Sequence, residues 1–341
     1  MSFAATIANA AERYKIPDSL LRLGIGHLVA RTDRALVRQP AETLAFARDM
    51  AGFPVALHTQ DANRQHYELP PKFFGLILGP RRKYSCCLYP TGQETLAEAE
   101  LLALEESVLH AGLADGQDIL ELGCGWGSLT LFMAQRFPGA RITAVSNSTP
   151  QRQYIEAQAM ALGLSNLRVI TADMNEFQPG QRFQRVVSVE MFEHMANWRE
   201  LLKRVRAWLA PGGKLFIHVF SHAASPYRFN HLDDDDWIAQ HFFTGGIMPS
   251  HDLATAFPDL FKPLRDWRWN GLNYACTAEA WLRNYDLHAA DIRIVLAAVY
   301  GTEAPVWERR WRLFFLATAG LFGHGGGEPW GVSHYLLEPT I

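Results

Sequence analysis

Residues 119–127 read ILELGCGWG, an apolar run that carries one acidic residue and ends in three glycines at alternate positions. Glycines at a strand-to-helix turn let the backbone adopt a positive φ and let a ligand come closer than any Cβ would permit. Dinucleotide-binding turns carry GxGxxG, which places a pyrophosphate on a helix N-terminus. Here the spacing is GxGxG, with Glu121 two residues ahead of the first glycine. The stretch therefore predicts a nucleotide-type cofactor pocket of a different kind.

The chain after this turn alternates predicted strands and helices. The predicted strands are residues 140–145, 167–171, 185–190 and 213–219, and the predicted helices are residues 150–162 and 197–209. This repeat requires right-handed crossovers, so we predict an α/β fold with a Rossmann-like, mostly parallel sheet and helices on both faces. Glycine-rich turns also close many βα units that bind nothing, so the residues around this turn must decide between the two interpretations.

Four polar residues follow or end consecutive predicted strands: Glu121, Asn147, Asp173 and Glu190. Ligands of such sheets bind outside the carboxyl ends of the strands. We expect these side chains to lie around one cleft, which favours a real cofactor site over a glycine turn without function.

Composition limits the classes of protein that fit. The chain has 341 residues, 48% hydrophobic and 20% charged, enough for a large core in one elaborated domain or two. A net charge of -3 supplies no basic field for nucleic acid, although the cluster at residues 81–83 could contact phosphate. Four cysteines, two of them adjacent, give no disulfide framework and no paired CxxC metal site. With no secretory pattern and apolar stretches of only about ten residues, we expect a cytoplasmic protein without a transmembrane segment.

The chain divides into two predicted parts. Residues 1–80 form a helical N-terminal lid segment, with helices at 18–32 and 41–50; its basic, amphipathic character would permit peripheral membrane contact, but a solvated arginine face is commoner. Residues 81–341 form the cofactor domain, with a cofactor half at 115–220 and substrate-side insertions at 221–330. Beyond residue 221 we predict an insert at 233–249, a strand at 264–269, helices from about 277 to 322 and a strand near 332–337.

The strongest catalytic candidate is the string VEMFEHM at residues 189–195, which places two carboxylates and an imidazole at the cofactor edge of the sheet. Glu190 and Glu193 are near enough to perturb each other, and a carboxylate beside His194 favours the imidazolium or fixes its tautomer. One of them could then accept a proton near neutral pH. The alternative is that Glu193 and His194 cap the helix that begins near residue 197.

Several strings carry a resemblance to a known family. The GxGxG turn resembles the first motif of S-adenosylmethionine (SAM)-dependent methyltransferases. YSCC at 84–87, VEMFEHM at 189–195 and DDWIAQHFFTGGIMPS at 235–250 resemble the cyclopropane fatty acid synthase superfamily, most of all its coclaurine N-methyltransferase-like branch. The similarity runs from about residue 66 to residue 335. It implies a Rossmann-like domain with a helical lid over an apolar substrate cavity.

The resemblance also implies the SAM contacts. They fall on Tyr84 and Ser85 from the lid, on Glu121, Gly123 and Gly125 at the turn, and on Asn147, Gln151, Asp173 and Met174 at the next strands. Many methyltransferases end the second strand with an acid for the ribose hydroxyls, but this chain has Ser-Asn-Ser at 146–148. Gln151 must then supply those hydrogen bonds, unless it is a solvent-facing helix residue.

The cyclopropane synthases hold a bicarbonate ion that takes up the proton released from the substrate. The matching positions here are Cys86, Glu193, His218 and Tyr274. His218 could instead be a core histidine and Tyr274 a packed aromatic residue. Those synthases have Gly where this chain has Glu190, and an added carboxylate suits a cationic amine better than a lipid alkene.

We therefore expect a methyltransferase for a small, partly aromatic amine, with Glu193 and His194 as the base and Glu190 attracting the cation. Phe242, Phe243, Trp330 and Tyr335 would line the pocket, where cation–π contact is plausible. The alternative enzyme transfers methylene to an unsaturated acyl chain and uses bicarbonate. A third hypothesis is a SAM-binding sensor without catalysis. A homodimer is compatible with each of these.

Overall fold

A seven-stranded mixed sheet forms the centre of the protein in a computed structural model, which describes residues 10–57, 69–233 and 236–340. The strands of this sheet are β1 (Asp118–Leu122), β2 (Arg141–Ser146), β3 (Leu167–Thr171), β4 (Phe183–Val189), β5 (Leu209–His222), β8 (Phe261–Asn270) and β9 (Trp330–Pro339). Two short strands, β6 (Tyr227–Arg228) and β7 (Ile247–Met248), form a separate sheet.

The order of the main sheet is β3-β2-β1-β4-β5-β9-β8. The first five strands are parallel, and β9 and β8 add antiparallel pairs at one edge. Strand order reverses between β1 and β4, so their carboxyl ends flank the crevice where α/β sheets bind ligands. The predicted Rossmann-like fold is confirmed.

Helices cover both faces of this sheet. Their bounds are α1 (Asp18–Arg38), α2 (Thr43–Asp49), α3 (Pro71–Ile77), α4 (Leu96–Ala111), α5 (Ser128–Arg136), α6 (Thr149–Ala161), α7 (Trp198–Trp208), α8 (Trp237–His241), α9 (Leu272–Leu287), α10 (Ala289–Tyr300) and α11 (Ala304–Gly323). Short 3-10 helices lie at Met50–Gly52, Phe192–His194, Leu253–Thr255, Gly301–Glu303 and His324–Gly327. Among the described residues, no helix is long and apolar enough to cross a membrane.

Successive side chains of a strand point to opposite faces of the sheet, so the core is divided between these two faces. Ile119 packs with Val108 of α4 and Met133 of α5, whereas the neighbouring Leu120 packs with Leu201 of α7. A third cluster, rich in aromatic rings, joins α3 to the C-terminal helices. It includes Phe73, Phe74, Trp281, Tyr285, Trp311 and Phe315.

Several predicted boundaries differ from the structure. Strand β5 begins at Leu209 and ends at His222, so the Pro-Gly-Gly segment lies within it, and its second half is extended by antiparallel pairing with β9. The predicted helical region at 277–322 is three helices, interrupted at His288 and at Gly301, whose φ is +53°. Parts of three predictions lie outside the described residues. They are residues 1–9 and 58–68 of the predicted lid, the start of the family resemblance near residue 66, and residues 234 and 235 of the predicted insert.

The N-terminal helices pack on the C-terminal half of the chain. Arg312 of α11 pairs with Asp18 of α1, and Arg22 of α1 pairs with Glu279 of α9. Farther along, the backbone N–H of Ala196 donates to the Val55 carbonyl at 2.8 Å. These contacts bring residues 55–57 to the carboxyl edge of the sheet.

Candidate active site

A cleft of about 690 Å³, counting its open mouth, lies at the carboxyl ends of β1, β2, β3 and β4. Its walls include Ala56, Leu57, Gly123, Gly125, Asn147, Gln151, Asp173, Met174, Glu190 and His194. The structure thus brings Asn147, Asp173 and Glu190, three of the four polar residues predicted at consecutive strand ends, to one cavity, and the fourth, Glu121, lines the cavity next to it.

The glycine turn shapes the floor of this cleft. Gly123 has a φ of +77°, and a Cβ there would lie 2.6 Å from the Cβ of Met191, the residue after Glu190. Gly127 has a φ of +79°, and a Cβ there would lie 2.6 Å from a carbon of Ile155 on α6. Both positions require glycine for conformation and for space, since the turn packs directly on β4 and α6.

Gln151 lies in the wall of the cleft and is 1% exposed. Its Oε1 accepts a hydrogen bond from the Ser146 hydroxyl at 2.7 Å, and its buried Nε2 has no partner among the described residues. The alternative that Gln151 is a solvent-facing helix residue is therefore wrong. A buried amide donor without an acceptor is costly, which suits a ligand with hydroxyl acceptors.

A second cavity of about 560 Å³, counting its opening, continues from the same glycines toward residues 82–85. Tyr84, Ser85 and Glu121 line it. Glu121 is 3% exposed and accepts a hydrogen bond from Thr130, and burial raises the pKa of its carboxyl to about 8. The predicted lid residues and the acid ahead of the glycine turn therefore lie on one side of the cleft.

Glu190 has a φ of +47°, in the left-handed region that non-glycine residues rarely adopt. Three groups converge on its carboxylate: two donors, and the ring of His218, whose Nε2 donates in one tautomer and accepts in the other. The Cys86 backbone N–H donates to Oε1 at 2.8 Å, His218 Nε2 lies 3.2 Å from Oε1, and the Tyr274 hydroxyl donates to Oε2 at 2.6 Å. These bonds offset the strain of the backbone conformation.

Three of the four residues expected to bind bicarbonate therefore surround Glu190. Cys86 takes part through its backbone N–H, because its thiol donates to the Cys87 carbonyl and burial raises the thiol pKa well above its usual value. The core-histidine and packed-aromatic alternatives are also insufficient, because His218 and Tyr274 both contact the carboxylate. The donors that would hold a bound anion hold the anionic side chain of this chain.

Glu193 is 1% exposed and lies in the 3-10 helix that follows Glu190. Burial, and next the charge of Glu190, raise the pKa of its carboxyl well above the usual value. The charge of Glu190 thus perturbs Glu193, in the direction expected for two carboxyl groups at this spacing. The alternative that Glu193 and His194 cap α7 is wrong, because the side chain of Asn197 accepts from the Glu200 N–H there.

His194 is half-buried in the cleft wall and stacks on Phe243, with ring centroids 5.0 Å apart and planes 8° apart. Phe243 in turn contacts Phe220 and Phe229. Of the four aromatic residues predicted to line the pocket, Phe243 is the one that stacks on His194. Rings of this kind leave an apolar surface beside the imidazole.

The other predicted pocket aromatics lie elsewhere. Phe242 stacks on Phe314 in the core of the C-terminal helices, and the Trp330 indole N–H donates to the Tyr227 hydroxyl. The prediction for Tyr335 is wrong: its neighbour His334 is opposite His218, so Tyr335 faces the other side of the sheet and donates to the His251 carbonyl.

Lys83 is a site residue that sequence reasoning missed, having treated it as part of a phosphate-binding cluster. It is 2% exposed, and its Nζ donates to Ser85 Oγ and to the Cys86 carbonyl, each at 2.6 Å. Burial raises the pKa of Glu190, while the nearby charge of Lys83 opposes that rise. Its position directly before the YSCC string was the available signal.

A third cavity lies between α1, α11 and the segment around β6. It encloses about 1310 Å³, counting open space, and its walls are mainly apolar. Tyr227, Phe229 and Trp237 line it, and Asp233 and Asp236 add carboxylates. Because Phe229 contacts Phe243, an aromatic wall runs from this cavity to His194.

Comparison with known proteins agrees with this geometry. A family model described as "Mycolic acid cyclopropane synthetase" matches residues 56–326. The (S)-coclaurine N-methyltransferase of Thalictrum flavum subsp. glaucum is 33% identical over 305 residues, 88% of this chain and 84% of that protein. The cyclopropane-fatty-acyl-phospholipid synthase of Escherichia coli (strain K12) is 27% identical over 224 residues, 65% of this chain and 56% of the synthase. A solved coclaurine N-methyltransferase bound to N-methylheliamine and SAH matches with a TM-score of 0.92 at 30% identity, covering 98% of this chain and 99% of that one.

Proposed function

Because the chain belongs to the mycolic acid cyclopropane synthetase family and is a SAM-dependent methyltransferase, we propose that it methylates the nitrogen of a small aromatic or alkaloid-like amine. In this proposal Glu193 and His194 take up the proton that the amine must lose, and Glu190 attracts the cation. Residues 1–80 act as the lid, which the position of Ala56 and Leu57 in the cleft wall supports.

One observation carries the choice of acceptor: the carboxylate of Glu190 fills the ring of donors formed by Cys86, His218 and Tyr274. A fixed negative charge in a buried site favours a cationic substrate, and like charges close together disfavour a second anion. Bicarbonate-dependent transfer to a lipid alkene is therefore the weaker hypothesis. The names of the similar plant enzymes, which act on the nitrogen of (S)-coclaurine and pavine, point the same way.

The residues present fit SAM. When bound, SAM supplies an activated methyl group on a positively charged sulfur. Gly123 and Gly125 would leave room for it, and the unpartnered amide of Gln151 would bind its ribose hydroxyls together with Asn147. Asp173 and Met174 would hold the adenine, and Tyr84 and Ser85 would close the other side.

The amine has to lose a proton, because an ammonium nitrogen has no lone pair for attack. His194 faces the cleft and is placed to receive that proton, and burial raises the pKa of Glu193, which makes its carboxylate a stronger proton acceptor than an exposed one. Burial raises the pKa of Glu190 as well, but three hydrogen bonds and the charge of Lys83 favour its ionised form. These environments assign different tasks to the two carboxyl groups.

The aromatic wall supports an aromatic acceptor. A ring seated beside Phe243 would bury its apolar surface, and its ammonium would gain cation–π attraction. The mainly apolar cavity around Phe229 has room for a multi-ring amine.

The proposal is tested by SAH release from the purified chain with SAM and one of two acceptors. These are coclaurine and vesicles of a phospholipid with unsaturated acyl chains. Mass spectrometry should find a methylated amine and unchanged lipid. A gain of one methylene in the acyl chains would overturn the proposal in favour of lipid transfer. SAM binding without turnover of either acceptor would favour the sensor.

The base is tested separately with Glu193→Ala and His194→Ala. Each should lower kcat on coclaurine by about 10²-fold or more, the range typical of general bases. Glu200→Gln, at an exposed glutamate on α7, is the matched control and should keep full turnover. Full turnover of both alanine variants would remove the assignment. A cytoplasmic location, a homodimer and peripheral membrane contact stay predictions from the sequence.

A further inference from the structure

Three buried histidines extend from Glu190 toward the surface. His218 Nε2 lies 3.2 Å from Glu190 Oε1, and its ring lies 4.5 Å from that of His334, centroid to centroid. His334 Nδ1 lies 2.8 Å from His110 Nδ1, and His110 Nε2 lies 2.9 Å from Glu106 Oε1. His218 and His334 are 0% exposed, whereas the Glu106 side chain is 35% exposed. The array therefore joins the active-site carboxylate to solvent.

The fold fixes this array rigidly. His218 on β5 and His334 on β9 are directly opposite each other in the antiparallel register, so their side chains share one face of the sheet. His110 lies in the last turn of α4, which packs on that face, and stacks on Trp267 of β8 with centroids 3.7 Å apart. Since three strands and one helix hold the rings, their geometry is set independently of any ligand.

We propose that His218, His334 and His110 form a histidine relay that carries the proton released by methylation to Glu106 and solvent, with Glu190 taking that proton from the Glu193–His194 base and passing it on. This inference rests on the proposed amine methylation. When a protonated amine is methylated, its N–H bond breaks, an N–CH₃ bond forms, and the positive charge arrives with the methyl group. One proton must therefore leave the site in every cycle.

Each imidazole in the relay has one nitrogen on each side of the path. The inner nitrogens are His218 Nε2, His334 Nε2 and His110 Nδ1, and the outer ones are His218 Nδ1, His334 Nδ1 and His110 Nε2. The relay starts with the hydrogen of each ring on its outer nitrogen, so that His218 Nε2 can accept the proton of Glu190. One proton then leaves each outer nitrogen, and the last reaches Glu106. One proton moves in total, every ring ends neutral in its other tautomer, and the rings return to the starting tautomers before the next turnover.

The contact between His218 and His334 supports a bridging water. His218 Nδ1 and His334 Nε2 are buried and have no hydrogen-bond partner among the described residues. Buried ring nitrogens without partners are costly, and one water bonded to both would satisfy them and complete the path.

Burial, and next the charges around the rings, favour the neutral imidazoles that a relay of this kind needs. Burial, assisted by the charge of Lys83, lowers the pKa of His218 and His334 well below the usual value. Burial also lowers the pKa of His110, where the charge of Arg265 acts in the same direction and Glu106 opposes it.

The test compares wild type with His334→Phe and His110→Ala in single turnovers on coclaurine, followed by product analysis and a pH-indicator dye. We expect His334→Phe to slow turnover by about 10²-fold at neutral pH, at the low end of proton-transfer effects. The solvent isotope effect should rise, and the proton should reach bulk solvent later than the product forms. The defect should shrink as the pH approaches the pKa of the amine, because a neutral amine has no proton to release.

His110→Ala is the second variant, at the more accessible end of the array. Added 4-methylimidazole should restore its rate but not that of His334→Phe, whose site is fully buried. His251→Asn is the control, because His251 contacts Ser333 on the opposite face of β9. Wild-type turnover with rates, isotope effects and proton release unchanged in both variants would overturn the relay and leave the proposed function standing. A wild type that does not methylate amines would instead refute the proposed function.

Discussion

Replacing Glu190 with Gln removes the negative charge from the donor ring and keeps the shape of the side chain. The amide oxygen can accept from the Cys86 N–H and from His218, as Oε1 does now. The amide nitrogen can donate to the Tyr274 hydroxyl, which reverses its present role. The folded state therefore keeps its three contacts, and we expect a Tm close to that of wild type.

The loss of charge should show in catalysis. Two unit charges about 4 Å apart attract each other by about 4 kcal/mol at an effective dielectric constant of about 20, close to a factor of 10³. Burial raises the pKa of Glu190, so only the ionised fraction contributes at neutral pH. We expect kcat/KM for coclaurine to fall by about 10²- to 10³-fold, while the SAM dissociation constant from calorimetry stays near that of wild type.

A Glu190→Gln variant with wild-type kcat/KM and wild-type Tm would refute the reasoning, because the charge would then play no part. Glu190→Gly is the companion variant, since glycine suits the φ of +47°. It leaves the three donors around Cys86, His218 and Tyr274 without an acceptor. Added bicarbonate should therefore raise its Tm and leave amine turnover low.

Three further predictions concern single side chains. Tyr274→Phe removes a donor that lowers the pKa of Glu190, so the acid limb of the pH–rate profile should move to higher pH; Tyr285→Phe, on the same helix, is its control. Gly123→Ala should abolish SAM binding in calorimetry, because the new Cβ would lie 2.6 Å from a side-chain carbon at a φ of +77°. Glu121→Gln should be more stable than wild type in urea unfolding by a margin that grows from pH 4.5 to about pH 8 and is constant above it. The carboxyl pKa is raised from 4.5 to about 8, so its stabilisation is present at low pH and lost through that interval, at about 1.4 kcal/mol per unit.

Each of these has a result that contradicts it. Equal shifts of the acid limb in the two tyrosine variants would mean that the hydroxyl bond to Glu190 is irrelevant. SAM binding of wild-type strength by Gly123→Ala would show that the turn does not shape the cleft. A stability difference independent of pH would exclude the raised pKa of Glu121.

The sequence predicted the cofactor half of the molecule well. Strand β3 has the predicted bounds, and β2, α6 and α7 differ from prediction by one residue at each end. These elements are set by local patterns, a period of two or of 3.6 residues and a turn chemistry that glycine alone permits. Polar residues at successive strand ends then had to meet at one edge, because parallel strands share their carboxyl edge.

The acceptor side was predicted less well. Tyr335 was assigned to the pocket from its residue type, but the register of β9 against β5 turns it to the opposite face. Lys83 was missed because it lies against a distant segment, α4, whose Glu100 side chain accepts a hydrogen bond from the Lys83 backbone N–H. Long-range pairing of this kind leaves no local pattern in the chain, so residue type alone does not locate a side chain there.

The sequence by itself determined the donor: the strand before residue 123, the alternate glycines and the polar strand ends are written in neighbouring residues, which is where backbone conformation is decided. Only the tertiary structure decided which carboxylate occupies the ring of donors. Glu190 and Glu193 are three residues apart and chemically alike, yet a left-handed φ turns Glu190 toward Tyr274, 84 positions away, and Cys86, 104 positions away. That choice, and the meeting of His218 with His334, follow from how distant segments pack.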